Sequence, residues 1–225
     1  MSTDIIVSYD GSPNDDDGLA LGRMLARSGA SLALAYVRHS REFDPQREEL
    51  ARHDAERRLE QGATWLGDDA LARHVIINAS TGDGLRRLAE SEGTKAIVFG
   101  SDYRTSPGRV EPGTAAQHLL EGGPVAIAVA CAGLRTRADV ALESVAVSAA
   151  DADGDDAAQQ TAQALAEKLG ASVIAAGGDA TSLTVVGSQP SAPAGRIALS
   201  GPTRAWLNSA RSSVLVVPRG APILL

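Results

Sequence analysis

The sequence predicts an α/β protein. Its first domain should hold an open, doubly wound, mostly parallel five-stranded sheet, with a reduced α/β repeat packed against it as a pseudo-dimer partner. Three observations carry this. Short aliphatic runs alternate with helix-length segments, the pattern of parallel strands joined by crossover helices. The 225 residues are 44% apolar but only 3% aromatic, as suits aliphatic and alanine packing of helices on a sheet. Several short stretches of the first part also recur in the second.

Taken in order, Asp4–Tyr9 has a continuous apolar centre, as a strand covered on both faces requires. Asp10-Gly11-Ser12-Pro13 breaks it, with Ser12 as a helix cap and Pro13 at the first helical position of a segment reaching Ala26 or Arg27. Leu32–Val37 is the second strand. Gln46–Trp65 has helical periodicity through Leu50, Ala51, Ala55, Leu59 and Ala63. Val75–Asn78, Gly84–Ser91 and Ala96–Phe99 then read as strand, helix and strand, and Ala115–Leu120 as a short helix before the strand Val125–Ala130. Five strands are too few for an eight-stranded barrel, so an open sheet follows.

Cys131–Asp139 is a polar, arginine-containing connector, which sets domains at 1–133 and 139–225. Beyond it, Ser144–Ser148, Ala171–Ala176, Leu183–Val186 and Val214–Val217 read as strands. Asp153–Leu169 and a segment around Arg204–Ser209 read as helices. Leu169–Ser172 echoes Ser28–Ser31, Leu183–Ser188 echoes Lys95–Ser101, and Ala194–Ile197 echoes Pro107–Val110. From Ser31 to Gly100 is 69 positions (100 − 31), but from Ser172 to Gly187 only 15 (187 − 172). The second unit therefore lacks the segment holding the first unit's second helix, third strand and third helix. The edges of Val125–Ala130 and Val214–Val217 need cover, and mutual antiparallel pairing would supply it.

The net charge of −7 is spread along the chain, which disfavours a broad nucleic-acid surface. One cysteine, Cys131, excludes an intrachain disulfide, and no Cys/His spacing suits zinc. Asp15-Asp16-Asp17 would suit a magnesium ion, but an acidic first helical turn accounts for it through the helix dipole. No segment has the length and hydropathy of a membrane span or signal peptide, so the expectation is a cytoplasmic protein with neither nucleic-acid nor membrane partners.

In parallel sheets ligands meet the carboxyl ends of strands. Asp10 and Gly100 each follow a strand, and an aspartate there accepts hydrogen bonds from an amino group or ribose hydroxyls. Gly113-Thr114 opens the fourth helix, where free N–H groups favour an anion. At each position a turn or capping role is the structural alternative. Gly100-Ser101-Asp102-Tyr103, nine residues, then Gly113-Thr114 resembles the G-x2-G-x9-G-(S/T) nucleotide loop of universal stress proteins. Ile5–Ser12 resembles their first strand and acidic ligand residue.

The resemblance covers nearly all of the first unit and, weakened, the second, which makes the chain resemble a tandem member with a shortened, degenerate second domain. It implies an ATP- or other adenine-nucleotide-binding regulator of the stress response. Asp10 would meet adenine or ribose. Ser8, Tyr9, Val37 and Phe99 would line the base, while Gly100, Gly113, Thr114 and Ala115 would approach ribose and phosphates, with Arg109 as a further phosphate partner. Magnesium would enter only with the nucleotide. Tyr103 replaces the second glycine of the motif and would either stack on a ligand or fill the phosphate region. In the second unit Ala149 stands at the Asp10-like position, and Ser200-Gly201 reverses the Gly-Ser/Thr order, which argues against a second site. Intrachain pairing of the units, a homodimer and an unidentified protein partner all fit. The alternatives are a nucleotide-free scaffold or regulatory interaction protein and a weak ATP hydrolase. The last is least favoured, because no nucleophile–base pair or metal-binding carboxylate cluster is evident.

Overall fold

The computed structural model describes residues 3–137, 141–148, 156–175 and 182–225. Strands β1 (Ile5–Ser8), β2 (Leu32–Arg38), β3 (Ala72–Ile77), β4 (Ala96–Phe99) and β5 (Ala126–Val129) alternate with helices α1 (Pro13–Ala26), α2 (Pro45–Leu66), α3 (Thr81–Glu92) and α4 (Thr114–Leu120). A 3-10 turn at Leu134–Arg137 leads to β6 (Ser144–Val147), α5 (Ala157–Leu169), β7 (Ser172–Ala175), β8 (Leu183–Val186), α6 (Gly201–Leu207) and β9 (Ser213–Val216). The nine strands among the described residues form one sheet in the order β3-β2-β1-β4-β5-β9-β8-β6-β7. Neighbours run parallel except β5 and β9, which pair antiparallel.

Strand side chains alternate between two cores, as a two-residue period demands. Ile5, Val7, Val98, Ala128 and Leu215 face one layer with Leu21 and Leu25 of α1, Leu59 of α2 and Leu165 of α5. Ile6, Ile97, Ile127, Val214 and Val216 face the other with Leu85 of α3, Leu119 of α4 and Leu207 of α6. Burying one such aliphatic side chain contributes roughly 1.5–3 kcal/mol, so the two apolar layers outweigh any surface ion pair.

Element boundaries differ from expectation where side chains cap or edges are polar. Helix α3 begins at Thr81, not Gly84, because the Ser80 Oγ accepts the Asp83 N–H at 3.3 Å. Helix α6 begins at Gly201, not near Arg204, with the Ser200 Oγ accepting the Thr203 N–H at 3.2 Å. Strand β3 starts at Ala72 because Arg73 and His74 pair in register with Leu34 and Ala35 at a sheet edge, where polar residues are tolerated. The helix expected from Asp153 is described from Asp156, its N-cap; 153–155 lie outside the described residues. So do Ala149, Ala138–Asp139 of the connector, and Ala176 of the expected strand.

The second unit's last elements repeat the first's at a constant spacing. From Ala96 of β4 to Leu183 of β8 is 87 positions (183 − 96), and the same spacing relates α4 to α6 and β5 to β9. At the junction the pairing is self-symmetric: Ala128 faces Leu215, its counterpart, with Ile127 opposite Val216 and Val129 opposite Val214. Loop contacts repeat as well. The Val110 N–H donates to the Ala210 carbonyl and the Ile197 N–H to that of Gly123, each at 3.0 Å. Such reciprocity is the signature of an isologous contact, here made within one chain.

Candidate functional site

The carboxyl ends of β1 and β2 open into a cleft of about 600 Å³ lined by Ser8, Tyr9, Asp10, Gly11, Ser12, Ala35, Tyr36, Val37, His39, Arg58 and Thr81. Gly11, at φ 88°, takes the left-handed conformation that turns the chain from β1 into α1. The Ser12 N–H donates to Asp10 Oδ1 at 2.8 Å, leaving the Asp10 side chain exposed at the rim. Val37 lies against α3, where a Cβ on Gly84 would come within 3.2 Å of its methyl group. Tyr9 is buried beneath α2, and Gly62 leaves room for its ring. Burial, then Asp16 and Asp15, push the Tyr9 phenol up to about 12, so it stays neutral.

Sequence reasoning missed Tyr36, His39, Arg58 and Thr81. Arg58 Nη1 donates to the Asp10 carbonyl at 2.7 Å, its Nε donates to Asp54 Oδ2 at 3.1 Å, and its guanidinium carbon stands 5.7 Å from the Tyr36 ring centre. Asp54 helps hold the Arg58 guanidinium above its usual range. His39 Nε2 and Thr81 Oγ1 lie 3.0 Å apart across the far wall. The cleft thus offers an apolar floor, an exposed carboxylate, a cation and a hydroxyl–imidazole pair. A helical period does mark Arg58 as flanking the buried Ala55–Leu59–Ala63 face, but nothing local in the sequence connects it to Asp10.

Of the residues anticipated from sequence, Ser8, Tyr9, Asp10 and Val37 line this cleft; Phe99, Gly100, Tyr103, Arg109, Gly113, Thr114 and Ala115 do not. Phe99 is buried in the second core, with Ala115 packed at its margin. Gly100 faces the start of α1: a Cβ there would stand 2.0 Å from the Asn14 carbonyl oxygen. Asn14 Nδ2 donates to the carbonyls of Ser101, at 3.3 Å, and Asp102, at 2.7 Å, which fastens the start of α1 to the segment that follows β4.

The loop beyond is closed on itself. The Asp102 N–H donates to the Glu111 carbonyl, and Ser101 Oγ donates to the Ala130 carbonyl while accepting the Glu111 N–H. Ser188 makes the matching bonds to Val217 and Ala198 in the second unit. Tyr103 is 68% exposed with the Arg104 guanidinium 4.9 Å over its ring. Arg109 Nη1 donates to the Ser209 carbonyl at 3.3 Å. Gly113 is the N-cap of α4, with no atom within 4 Å of where its Cβ would stand, and Thr114 is exposed beside it.

The three aspartates of α1 divide their roles. Asp15 Oδ2 accepts the Asp10 N–H, Asp16 receives the Tyr9 hydroxyl at 3.4 Å, and Asp17 is fully buried. Asp17 accepts the N–H groups of Gly133 and Arg135 at 2.8 and 2.7 Å and an Arg135 guanidinium bond at 2.8 Å, tying the 3-10 turn to α1. Among the described residues no group of three or more acidic, histidine or cysteine side chains is placed to hold a metal ion.

A solved universal stress protein from Archaeoglobus fulgidus DSM 4304 superposes with a TM-score of 0.71, over 98% of this chain and 100% of its own, at 13% identity. The chain has the universal stress protein fold. A structure described as a putative universal stress protein from Pseudomonas aeruginosa UCBPP-PA14 agrees at a TM-score of 0.59 and 11% identity, covering 97% of this chain and 94% of its own. A functionally unknown protein from Pseudomonas aeruginosa PAO1 agrees at 0.58 and 13%, covering 97% and 93%. No family sequence model matches the chain, and no curated protein does. The likeness to the universal stress proteins lies in architecture, at identities too low to carry individual residues. No helix among the described residues is long and apolar enough to cross a membrane.

Proposed function

We propose that this protein binds ATP or a related adenine nucleotide in the cleft at the ends of β1 and β2 and acts as a cytoplasmic, non-catalytic regulator of the stress response. The observation that supports this reading most is the convergence of Tyr9, Asp10 and Val37 with Arg58 in one cleft of nucleotide size. The Asp10 carboxylate accepts from the adenine amino group or the ribose hydroxyls, and the walls by Tyr9 and Val37 take the base. Arg58 adds a cation to a chain that is otherwise acidic, and the open start of α4 at Gly113-Thr114 is the direction left for phosphates. Binding couples to function by ordering the Gly100–Thr114 loop, provided the nucleotide prefers the ordered state. The second unit, without an equivalent cleft-lining aspartate in its sequence, serves as the internal partner.

A nucleotide-free scaffold is the second reading, supported by the Asn14 contacts that hold the start of α1 against the Ser101–Asp102 backbone. Equilibrium binding of ATP, ADP and AMP to protein stripped of retained ligand separates the two. The nucleotide reading expects saturable binding, lost on Asp10→Ala and weakened by Gly113→Val. Folded protein that binds none of the three leaves the scaffold. Phosphate release that persists unchanged in Asp10→Ala would place any hydrolysis outside this cleft.

A further inference from the structure

We infer that a second cavity, at the junction of the two units, binds an amphipathic anion: a short apolar chain bearing a phosphate or carboxylate head. It has a volume of about 500 Å³ between the β4–α4 loop, the 3-10 turn and the residues entering β6, β8 and β9, and shares no lining residue with the cleft of Asp10. Volumes of this order suit small ligands, and an apolar lining with a few fixed polar groups is the usual composition.

Half-buried Leu134 and the exposed Pro107 and Ala141 give the cavity its accessible apolar surface, over Met24 and Leu142 packed beneath. Three arginines line it. Arg135 is committed to the buried Asp17, which neutralises both. Among the described residues Arg137 and Arg211, both exposed, form no ion pair, and Glu143 is the one carboxylate on the wall. The balance is an excess of cation beside apolar surface. Guanidinium groups favour phosphate and carboxylate through paired N–H donors, while the apolar wall rewards an attached hydrocarbon. An inorganic anion uses only half of this surface. Cys131, the chain's single cysteine, forms part of the lining and reports on occupancy.

The test is independent of the nucleotide reading. Octyl phosphate, octanoate, octanol and inorganic phosphate are titrated into the full chain below micellar concentrations by calorimetry. In parallel, the rate at which a thiol reagent modifies Cys131 is followed. Octyl phosphate or octanoate should bind at least about tenfold tighter than both octanol and inorganic phosphate and slow Cys131 modification; which of the two binds names the head group. Arg137→Gln with Arg211→Gln should weaken binding about tenfold or more, and the lysine pair, which keeps the charge, should restore most of it. Circular dichroism establishes that the variants are folded. Absence of saturable binding, binding indifferent to the glutamine pair, binding no tighter than that of inorganic phosphate, or binding that leaves Cys131 reactivity unchanged would overturn the inference.

Discussion

The Asp10 backbone N–H donates to Asp15 Oδ2 across 2.6 Å, so the rim of the β1–β2 cleft is tied to the first turn of α1 by a carboxyl group. Burial first, then the Asp10 side chain, push the Asp15 carboxyl up to about 8. Asp16 next to it is also raised, chiefly by burial, despite the Tyr9 hydroxyl and Arg135. A protonated Asp15 keeps two carboxyl groups from being charged together at the cleft entrance.

Stability should therefore fall as pH rises. The folded state holds the Asp15 proton up to about 8, whereas the unfolded chain releases it near 3.8, so the native state binds more protons between those values. With more protons on the native side, the linkage slope is negative across that window. Asp15→Asn removes the titration while keeping an oxygen to accept the Asp10 N–H. Urea midpoints should show the variant close to wild type near pH 4 and more stable by on the order of 1 kcal/mol or more at pH 8. Parallel pH profiles for the two proteins would contradict this account of Asp15.

Asp17 holds the 3-10 turn to α1 through hydrogen bonds. It is inaccessible to solvent, and its carboxylate satisfies three donors from the 3-10 turn. Asp17→Ala leaves two backbone N–H groups without acceptors and the partly exposed Arg135 guanidinium with the Pro13 carbonyl alone, a loss of about 2 kcal/mol. Denaturant unfolding measures the loss, and limited proteolysis should cut first within 131–137. A cost below about 1 kcal/mol would mean the turn holds without this clamp.

Gly100 and Gly113 look alike in the sequence and differ in the fold. An alanine Cβ at position 100 meets the backbone of Asn14, which cannot swing aside, so Gly100→Ala should cost about 1–3 kcal/mol. At position 113 the backbone is an ordinary extended one and the space is open, so Gly113→Ala should cost less than about 1 kcal/mol, the loss expected for alanine at an N-cap. Thermal unfolding of both variants distinguishes them; equal losses would remove the packing role assigned to Gly100.

That contrast shows what the sequence could and could not carry. Aliphatic strands such as Ala96–Phe99 were legible because both faces are buried, and α1 because Ser12-Pro13 marks its start. The caps at Ser80 and Ser200 are less legible, since a cap hydrogen bond depends on local backbone shape as well as residue type. Arg73 and His74 hid the start of β3 because an edge strand can be polar. In the cleft, Asp10 and its neighbours on β1 were visible from a local motif. Arg58 and Thr81 were not, being 48 and 71 positions from Asp10 (58 − 10, 81 − 10) and brought to the same cleft only by the fold. What a glycine's missing side chain faces is likewise a property of the folded chain.

Arg109 is where the repeat decides between two roles. Its bond to the Ser209 carbonyl is matched by Arg196, whose Nη1 donates to the Gly122 carbonyl at the same 3.3 Å. The two arginines lie 87 positions apart (196 − 109), as do the two carbonyls (209 − 122), so each unit reaches across to the other by the same device. Both bonds are solvent-exposed. Arg109→Ala and Arg196→Ala should each cost about 0.5–1 kcal/mol, agree within about 0.5 kcal/mol, and add in the double variant, as distant sites do. Chemical denaturation of the three proteins tests this, with nucleotide titration of Arg109→Ala alongside. A junction role leaves nucleotide affinity where it was; a loss of affinity in Arg109→Ala, with none in Arg196→Ala, would return Arg109 to the phosphates.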